Sequence, residues 1–260
     1  MRIDSRDRGL AYGDGVFETL RVGAAGTVPL WSHHRRRLLA GCQALGIPLE
    51  TAHLERQLAD QLSAGSGQGG VLKLLVSRGP GGRGYLPPAD PRPTLLWQRA
   101  ALPVWPLQQR QHGVVLGLCQ QPLFPEPLAG LKHLNRLPQV QARREVARQG
   151  WDEGLLLSPR RQPLEATAMN LFARFDDHWW TPDLLAARAG VQGVMRAWLL
   201  EQLGETVRCE LRPLSHLRRA RSLFLCNSVV GVLPVRKLAQ WTWPVVEPVE
   251  QLQQTVESLF

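Results

Sequence analysis

Residues Val71 to Val76 read Val-Leu-Lys-Leu-Leu-Val. A nearly continuous apolar run this short suits a central strand with both faces covered. Such a strand needs partners on either side. Gly15 to Val22 offers one by alternation, with Val16, Glu18 and Leu20 on one face and Phe17, Thr19 and Arg21 on the other. Pro93 to Trp97 offers another. Two helical patterns lie between them. Ser32 can cap a helix through Leu45 with Leu38, Cys42 and Leu45 as its apolar stripe, and a second helix fits Leu54 to Leu62. His34 falls one turn before Arg37 on the first. Ala24-Ala25-Gly26 reads as a hairpin turn into a strand ending near Trp31, and Ser63 to Gly70 as a flexible loop. The N-terminal part is therefore expected to form a small α/β domain.

Leu102 to Pro106 carries two prolines and marks the domain boundary. The expected division is 1–104, a linker at 105–112, and a larger domain at 113–260. Strands are expected at Gly154–Ser158, Leu164–Phe175, Trp179-Trp180, Val207–Leu211 and Ser222–Cys226. Helices fit Gln139–Gln149, closed by Gly150, the stretch from Gly193 to Gly204, and a short turn near Ser215–Ala220.

The net charge is +9, so nucleic-acid binding has to be considered. The arginine clusters at 35–37, 143–148, 160–161 and 218–221 lie far apart and lack interleaved aromatics. A basic solvated surface that steers anionic small molecules is the better expectation, with no nucleic-acid partner. No run reaches the ~18 apolar residues of a membrane span. Met1 to Arg8 is charged and no apolar segment follows, so no signal peptide is expected. Cys42, Cys119, Cys209 and Cys226 show no paired spacing and read as reduced core residues of a cytoplasmic protein. The histidines show no ligand spacing, so no metal site is expected.

The chemical signals are individually weak. Lys132 precedes a helix that Asn135 can cap and Pro138 can open. The positive end of that helix disfavours a second positive charge, which suits an amine nucleophile or base. Glu165 stands in mid-strand among apolar residues, where a buried carboxylate requires a partner. Gly193-Val194-Met195-Arg196 starts a helix whose exposed N–H groups can hold an anion. Arg78-Gly79-Pro80-Gly81-Gly82-Arg83-Gly84-Tyr85 is a loop whose backbone can approach a ligand. Asn227-Ser228 leaves a strand end with short polar groups. A lysine that can form a Schiff base, a carboxylate for a protonated ring nitrogen, and a phosphate cradle are together the parts of a pyridoxal phosphate site.

Seven motifs in order carry a resemblance over nearly the whole chain. They are Asp7 through Thr19, His34-x-x-Arg37-Leu38, Arg78 through Tyr85, Leu131-Lys132-His133-Leu134-Asn135-Arg136-Leu137, Glu165 through Asn170-Leu171-Phe172, Gly193 through Arg196, and Cys226-Asn227-Ser228. The chain resembles the fold-type IV pyridoxal-phosphate enzymes, most of all the aminodeoxychorismate lyases among them. The resemblance implies a two-domain α+β / α/β fold, with a small N-terminal α/β domain and a larger, mixed, β-barrel-like C-terminal domain. It also implies roles. Lys132 would carry pyridoxal 5'-phosphate and act in catalysis. Glu165 would pair with the pyridine nitrogen. Arg37, Val194, Met195 and Ser228 would hold the phosphate. Phe17, Arg83 and Tyr85 would line the pocket for an anionic small molecule, aminodeoxychorismate.

The glycine-rich loop of this family can reach the partner subunit's site, which implies a homodimer. D-amino-acid transaminases on this fold trap the substrate carboxylate with a tyrosine, an arginine and a histidine. Here those positions hold Phe17, Arg83 and Tyr85, which favours the lyase over the D-amino-acid or branched-chain aminotransferases. Six residues precede Asp7 where the family usually opens with a longer first strand, so a truncated start or a lost strand is expected.

Overall fold

The computed structural model describes residues 3–65 and 68–260. Ser66 and Gly67, part of the loop expected between Ser63 and Gly70, lie outside the described residues, as do Met1 and Arg2. The chain divides into two compact units. The first runs to Leu102 and also takes in Leu131–Asn135 and Phe260, and the second comprises Pro103–Gly130 and Arg136–Leu259. A linear cut at 104 and 113 does not contain this exchange of the Lys132 segment.

The first unit holds α1 (Arg8–Tyr12), β1 (Gly15–Val22), α2 (Trp31–Leu45), α3 (Thr51–Ala64), β2 (Gly70–Ser77) and β3 (Thr94–Ala100). The strands form an antiparallel sheet in the order β1-β2-β3, so Val71–Val76 is central. Val16, Leu20 and Val22 of β1 and Leu72, Leu74 and Val76 of β2 are buried with Leu38, Cys42, Leu54 and Leu58 of the two helices. Burial of these side chains, at roughly 25 cal/mol per Å² of apolar area, is what fixes the sheet against the helices. The strand expected to end at Trp31 is absent. Trp31 instead opens α2, because Leu30 accepts the N–H groups of His33 and His34 and starts the helix from the backbone. Ser32 lies inside the helix and does not cap it.

The second unit holds α4 (Leu107–His112), β4 (Val114–Leu118), α5 (Leu137–Gln149), β5 (Glu153–Leu157), β6 (Pro163–Ala166), β7 (Asn170–Arg174), β8 (Trp179–Thr181), α6 (Leu184–Ala187), α7 (Val194–Leu203), β9 (Val207–Cys209), β10 (Ser222–Asn227), β11 (Gly231–Leu238), β12 (Trp241–Thr242) and α8 (Glu247–Glu257). Helix α4 occupies most of the expected linker. The strands β10-β11-β4-β5-β6-β7 pair in sequence, and β7 pairs back to β10, closing a barrel. β4 and β5 run parallel, which requires a crossover, and α5 provides it. Alternate residues of the barrel strands share one core: Val114, Leu116, Leu155, Leu157, Leu171, Ala173, Leu223, Leu225, Leu233 and Val235.

The single strand expected over Leu164–Phe175 is a hairpin, with β6 and β7 antiparallel and Glu165 opposite Asn170. Against β5 the register of β6 slips between Leu156 and Leu157, leaving Leu164 as an extra residue. Leu156 and Leu164 therefore both join the core under α5, with Ala142 and Val146. Three of the cysteines expected in the core are buried, but Cys209 is exposed on β9, which pairs only with β8. Among the described residues, no helix is long and apolar enough to cross a membrane.

Candidate functional site

Lys132 sits on an edge pairing of the first unit. Phe17 donates its N–H to the Lys132 carbonyl at 2.9 Å, Leu134 donates to Gly15 at 2.9 Å, and Val16 bridges His133. Asn135 does not cap α5, whose N-cap is Arg136 without a side-chain bond. Its amide instead donates to the Gly13 carbonyl at 3.1 Å. Gly13 has φ +66°, and a side chain there would collide with Asn135. The motif thus spends Asn135 on seating the lysine segment against the first turn of the chain. The Lys132 ammonium lies 4.4 Å from the Phe17 ring centroid, and Lys73 lies 5.3 Å from the same ring. The chain has only three lysines, Lys73, Lys132 and Lys237, and Lys237 is exposed on β11. Two of the three amines therefore lie beside Phe17, both half-buried.

Behind β1 stands a network that sequence reading did not single out. Glu18 is fully buried. Arg37 grips it with a fork, Nε to Oε1 at 2.7 Å and Nη2 to Oε2 at 2.6 Å. Buried His34 adds Nδ1 to Oε2 at 2.6 Å. Burial alone would raise the Glu18 pKa, but the charges and hydrogen bonds of Arg37 and His34 outweigh it and bring it down to about 2. For His34, burial wins over the attraction of Glu18, with Arg37 and Lys132 adding repulsion, and its pKa falls below the usual value. A guanidinium carries five N–H donors, and Glu18 takes two of them while fixing the plane of the rest. The available signal was a glutamate on the apolar face of a strand, with His34 and Arg37 three apart on the next helix.

Arg83 and Tyr85 are exposed on the glycine-rich loop of the first unit, Tyr85 at 84%.

The other candidates lie in the second unit. Glu165 is 4% exposed, so this strand carboxylate is buried. Its Oε2 accepts the Val191 N–H at 2.7 Å and its Oε1 accepts the Gln139 amide at 3.3 Å. Its register partner Asn170 donates to the Val191 carbonyl at 2.9 Å. The β6–β7 hairpin therefore clips both sides of one residue. Glycine is required at both ends of this loop. Gly190 has φ +86°, and a side chain on Gly193 would run into Asn170 Oδ1.

The clipped loop delivers the chain to α7, where Gly193 is an extended N-cap with no side-chain cap and Val194 and Met195 open the helix with buried side chains. The first-turn N–H groups of a helix have no helical acceptor and favour an anion. Ser228 is buried just past β10, where Asn227 Oδ1 accepts the N–H groups of Val229 and Val230 at 2.9 and 2.8 Å. Arg136 is half-buried, with its pKa lowered by burial and drawn back up by Glu165 and Glu126. The second unit by itself holds a carboxylate acceptor suited to a ring N–H, and a helix start and a hydroxyl suited to a phosphate; the first unit by itself holds an amine and a fixed guanidinium.

The model of the amino-transferase class IV family matches residues 15–238. An aminodeoxychorismate lyase of Vibrio harveyi is 34% identical over 88% of this chain and 84% of its own length. A putative branched-chain-amino-acid aminotransferase of Methanocaldococcus jannaschii is 28% identical over 90% of this chain and 82% of its own. The crystal structure of 4-amino-4-deoxychorismate lyase from Pseudomonas aeruginosa superposes with a TM-score of 0.93 at 44% identity, covering 99% of this chain and 95% of that one. The small α/β unit, the closed barrel and these likenesses agree, and the chain belongs to the class IV aminotransferase family.

Proposed function

We propose that the protein is a pyridoxal-phosphate-dependent lyase converting 4-amino-4-deoxychorismate to 4-aminobenzoate and pyruvate. The observation that carries this reading is the 44% identity to a lyase of known structure across 99% of the chain. Lys132 holds the cofactor through its amine, with Glu165 on the ring nitrogen. Arg37, the N–H groups of Val194 and Met195, and the Ser228 hydroxyl take the phosphate. When bound, pyridoxal phosphate supplies an electron sink for a carbanion next to the substrate nitrogen.

The chain's own groups do the rest. Glu165, as a carboxylate, keeps a proton on the ring nitrogen. The Lys132 amine, released when the substrate amine takes its place, removes the proton from the ring carbon that bears the substrate amine. The enolpyruvyl C–O bond breaks, the leaving group is protonated to pyruvate, and the ring becomes aromatic, which makes the step downhill. Arg83 forks around a substrate carboxylate, and Phe17 and Tyr85 wall the ring. The reading extends to a cytoplasmic homodimer in which Arg83 serves the partner's site, and to 4-aminobenzoate supply for folate synthesis.

The test is product formation from freshly generated aminodeoxychorismate, with pyruvate and 4-aminobenzoate followed together. Equimolar release supports the lyase. The likeness to the M. jannaschii protein favours a second reading, aminotransfer, and keto-acid-dependent conversion of an amino acid without pyruvate elimination would replace the first with it.

A further inference from the structure

We infer that Arg8 is a positioning residue for the loop that carries Arg83 and Tyr85. The inference rests on the reading of those two as substrate residues. The loop tip is exposed, Tyr85 at 84% and Leu86 at 85%, and it contains Gly82 and Gly84. A tip of this composition has a large conformational entropy to lose on gripping a ligand. Here it is fastened from beneath by a buried cation.

Arg8 is 4% exposed. Its Nη2 donates to the Tyr85 carbonyl at 2.7 Å, and its Nη1 to those of Gly84 at 3.1 Å and Leu86 at 3.4 Å. Its Nε is held by Asp14 Oδ2 at 2.8 Å. Asp14 is gripped in turn by Arg78, through Nε at 2.7 Å and Nη2 at 3.0 Å. Arg78 is anchored on the carbonyls that end α2, Leu45 at 2.6 Å and Gly46 at 2.9 Å. The chain of contacts runs from a helix end through Arg78, Asp14 and Arg8 to three successive carbonyls of the tip.

Two guanidiniums share one carboxylate in this cluster, so it holds excess positive charge, and the tip carbonyls complete its solvation. A buried ionic cluster is a poor source of stability compared with apolar packing of the same volume. What it provides is a defined backbone. The backbone pairing Arg8 N–H to Gly79 at 3.0 Å and Gly81 N–H to Arg6 at 3.1 Å fixes the loop's entry. Arg8 also lies 4.9 Å from the Tyr12 ring, which meets the Tyr85 ring at 5.4 Å. Arg8 acts through these carbonyls: it sets the direction in which Arg83 and Tyr85 point.

The test uses the full chain loaded with pyridoxal phosphate and the Arg8→Lys variant, whose single ammonium cannot span Asp14 and the tip carbonyls. Trypsin cleavage after Arg83 should accelerate about tenfold, the loss of one charge-assisted hydrogen bond, with cleavage elsewhere unchanged. KM for aminodeoxychorismate should rise about tenfold with kcat within about twofold, as lost binding that is equal in ground and transition states requires. Asp14→Asn, which keeps Arg8 but removes its orienting charge, should give the same split at smaller size. Unchanged cleavage at Arg83 overturns the inference. So does uniform acceleration at all sites, which is ordinary destabilisation, and so does faster cleavage at Arg83 with KM unmoved. If the wild-type protein proves to be an aminotransferase, the same KM split on its amino-acid substrate supports the inference while the lyase reading alone fails.

Discussion

Glu18 and Glu165 are both strand carboxylates buried almost completely, at 0% and 4% exposure, and they are held in different ways. Glu18 has a charged partner in direct contact, the Arg37 fork, and a hydrogen bond with the His34 ring. Glu165 is oriented by a backbone N–H and a side-chain amide. The first arrangement spends the carboxylate's charge inside the fold and returns a rigid arginine. The second orients the carboxylate with a backbone N–H and an amide, and its charge also acts on Arg136. Two equally buried strand carboxylates can thus be held by different donors, and burial alone does not tell their roles apart.

The comparison breaks most visibly at Glu18. Glu18→Ala leaves Arg37 and His34 buried without their anion and should cost about 3–5 kcal/mol in denaturant unfolding, with loss of phosphate-dependent cofactor uptake. A cost below about 1 kcal/mol would mean that the network relaxes into water. Glu165→Gln keeps an acceptor for the Val191 N–H, so stability should change by about 1 kcal/mol or less. Turnover should fall by about a hundredfold, because a neutral amide does not hold a proton on the ring nitrogen. Equal stability losses in Glu18→Gln and Glu165→Gln would erase the distinction.

Acid sharpens it further. The Glu18 pKa is depressed from 4.5 to about 2 on folding, so its contribution is present above 4.5 and is lost as pH falls toward about 2. Wild-type stability should drop by about 2 kcal/mol more than that of Glu18→Gln between about pH 5 and about pH 3. The His34 shift has the same sign. Its folded pKa is lowered, so the unfolded chain binds the proton first and stability declines as pH falls below 6.5. His34→Gln should flatten that slope in thermal unfolding.

Much of this was legible in the chain itself. The alternation of β1 and the stripe of α2 predicted the small unit, because one face of each is buried; the apolar run of β2 predicted a central strand, but with Lys73 and Leu75 only half-buried its two faces are not equally covered. The residues around Glu165 left open whether it is buried or faces water, and the structure buries it. What failed did so for local reasons. Leu164–Phe175 carries no glycine or proline at its turn, and a one-residue bulge disguises the alternation, so two strands looked like one. β4 and β11 drew no prediction, and they sit in the barrel as partners of each other. Asn135 matches a cap by type, but its amide donates instead to the Gly13 carbonyl, far off in sequence. The Arg78–Asp14–Arg8 relay joins residues that no short-range pattern links.

The central claim is that Lys132 carries the cofactor, and one measurement tests it most directly. The pyridoxal-phosphate-loaded protein is reduced with borohydride, digested, and the peptide bearing the cofactor mass is located. With three lysines in the chain, the answer is unambiguous. The account predicts the label on Lys132 alone, with Lys132→Ala unlabelled and turnover reduced by more than about a thousandfold. A label on Lys73, the other amine beside Phe17, or no label on a protein that still releases 4-aminobenzoate, would contradict it.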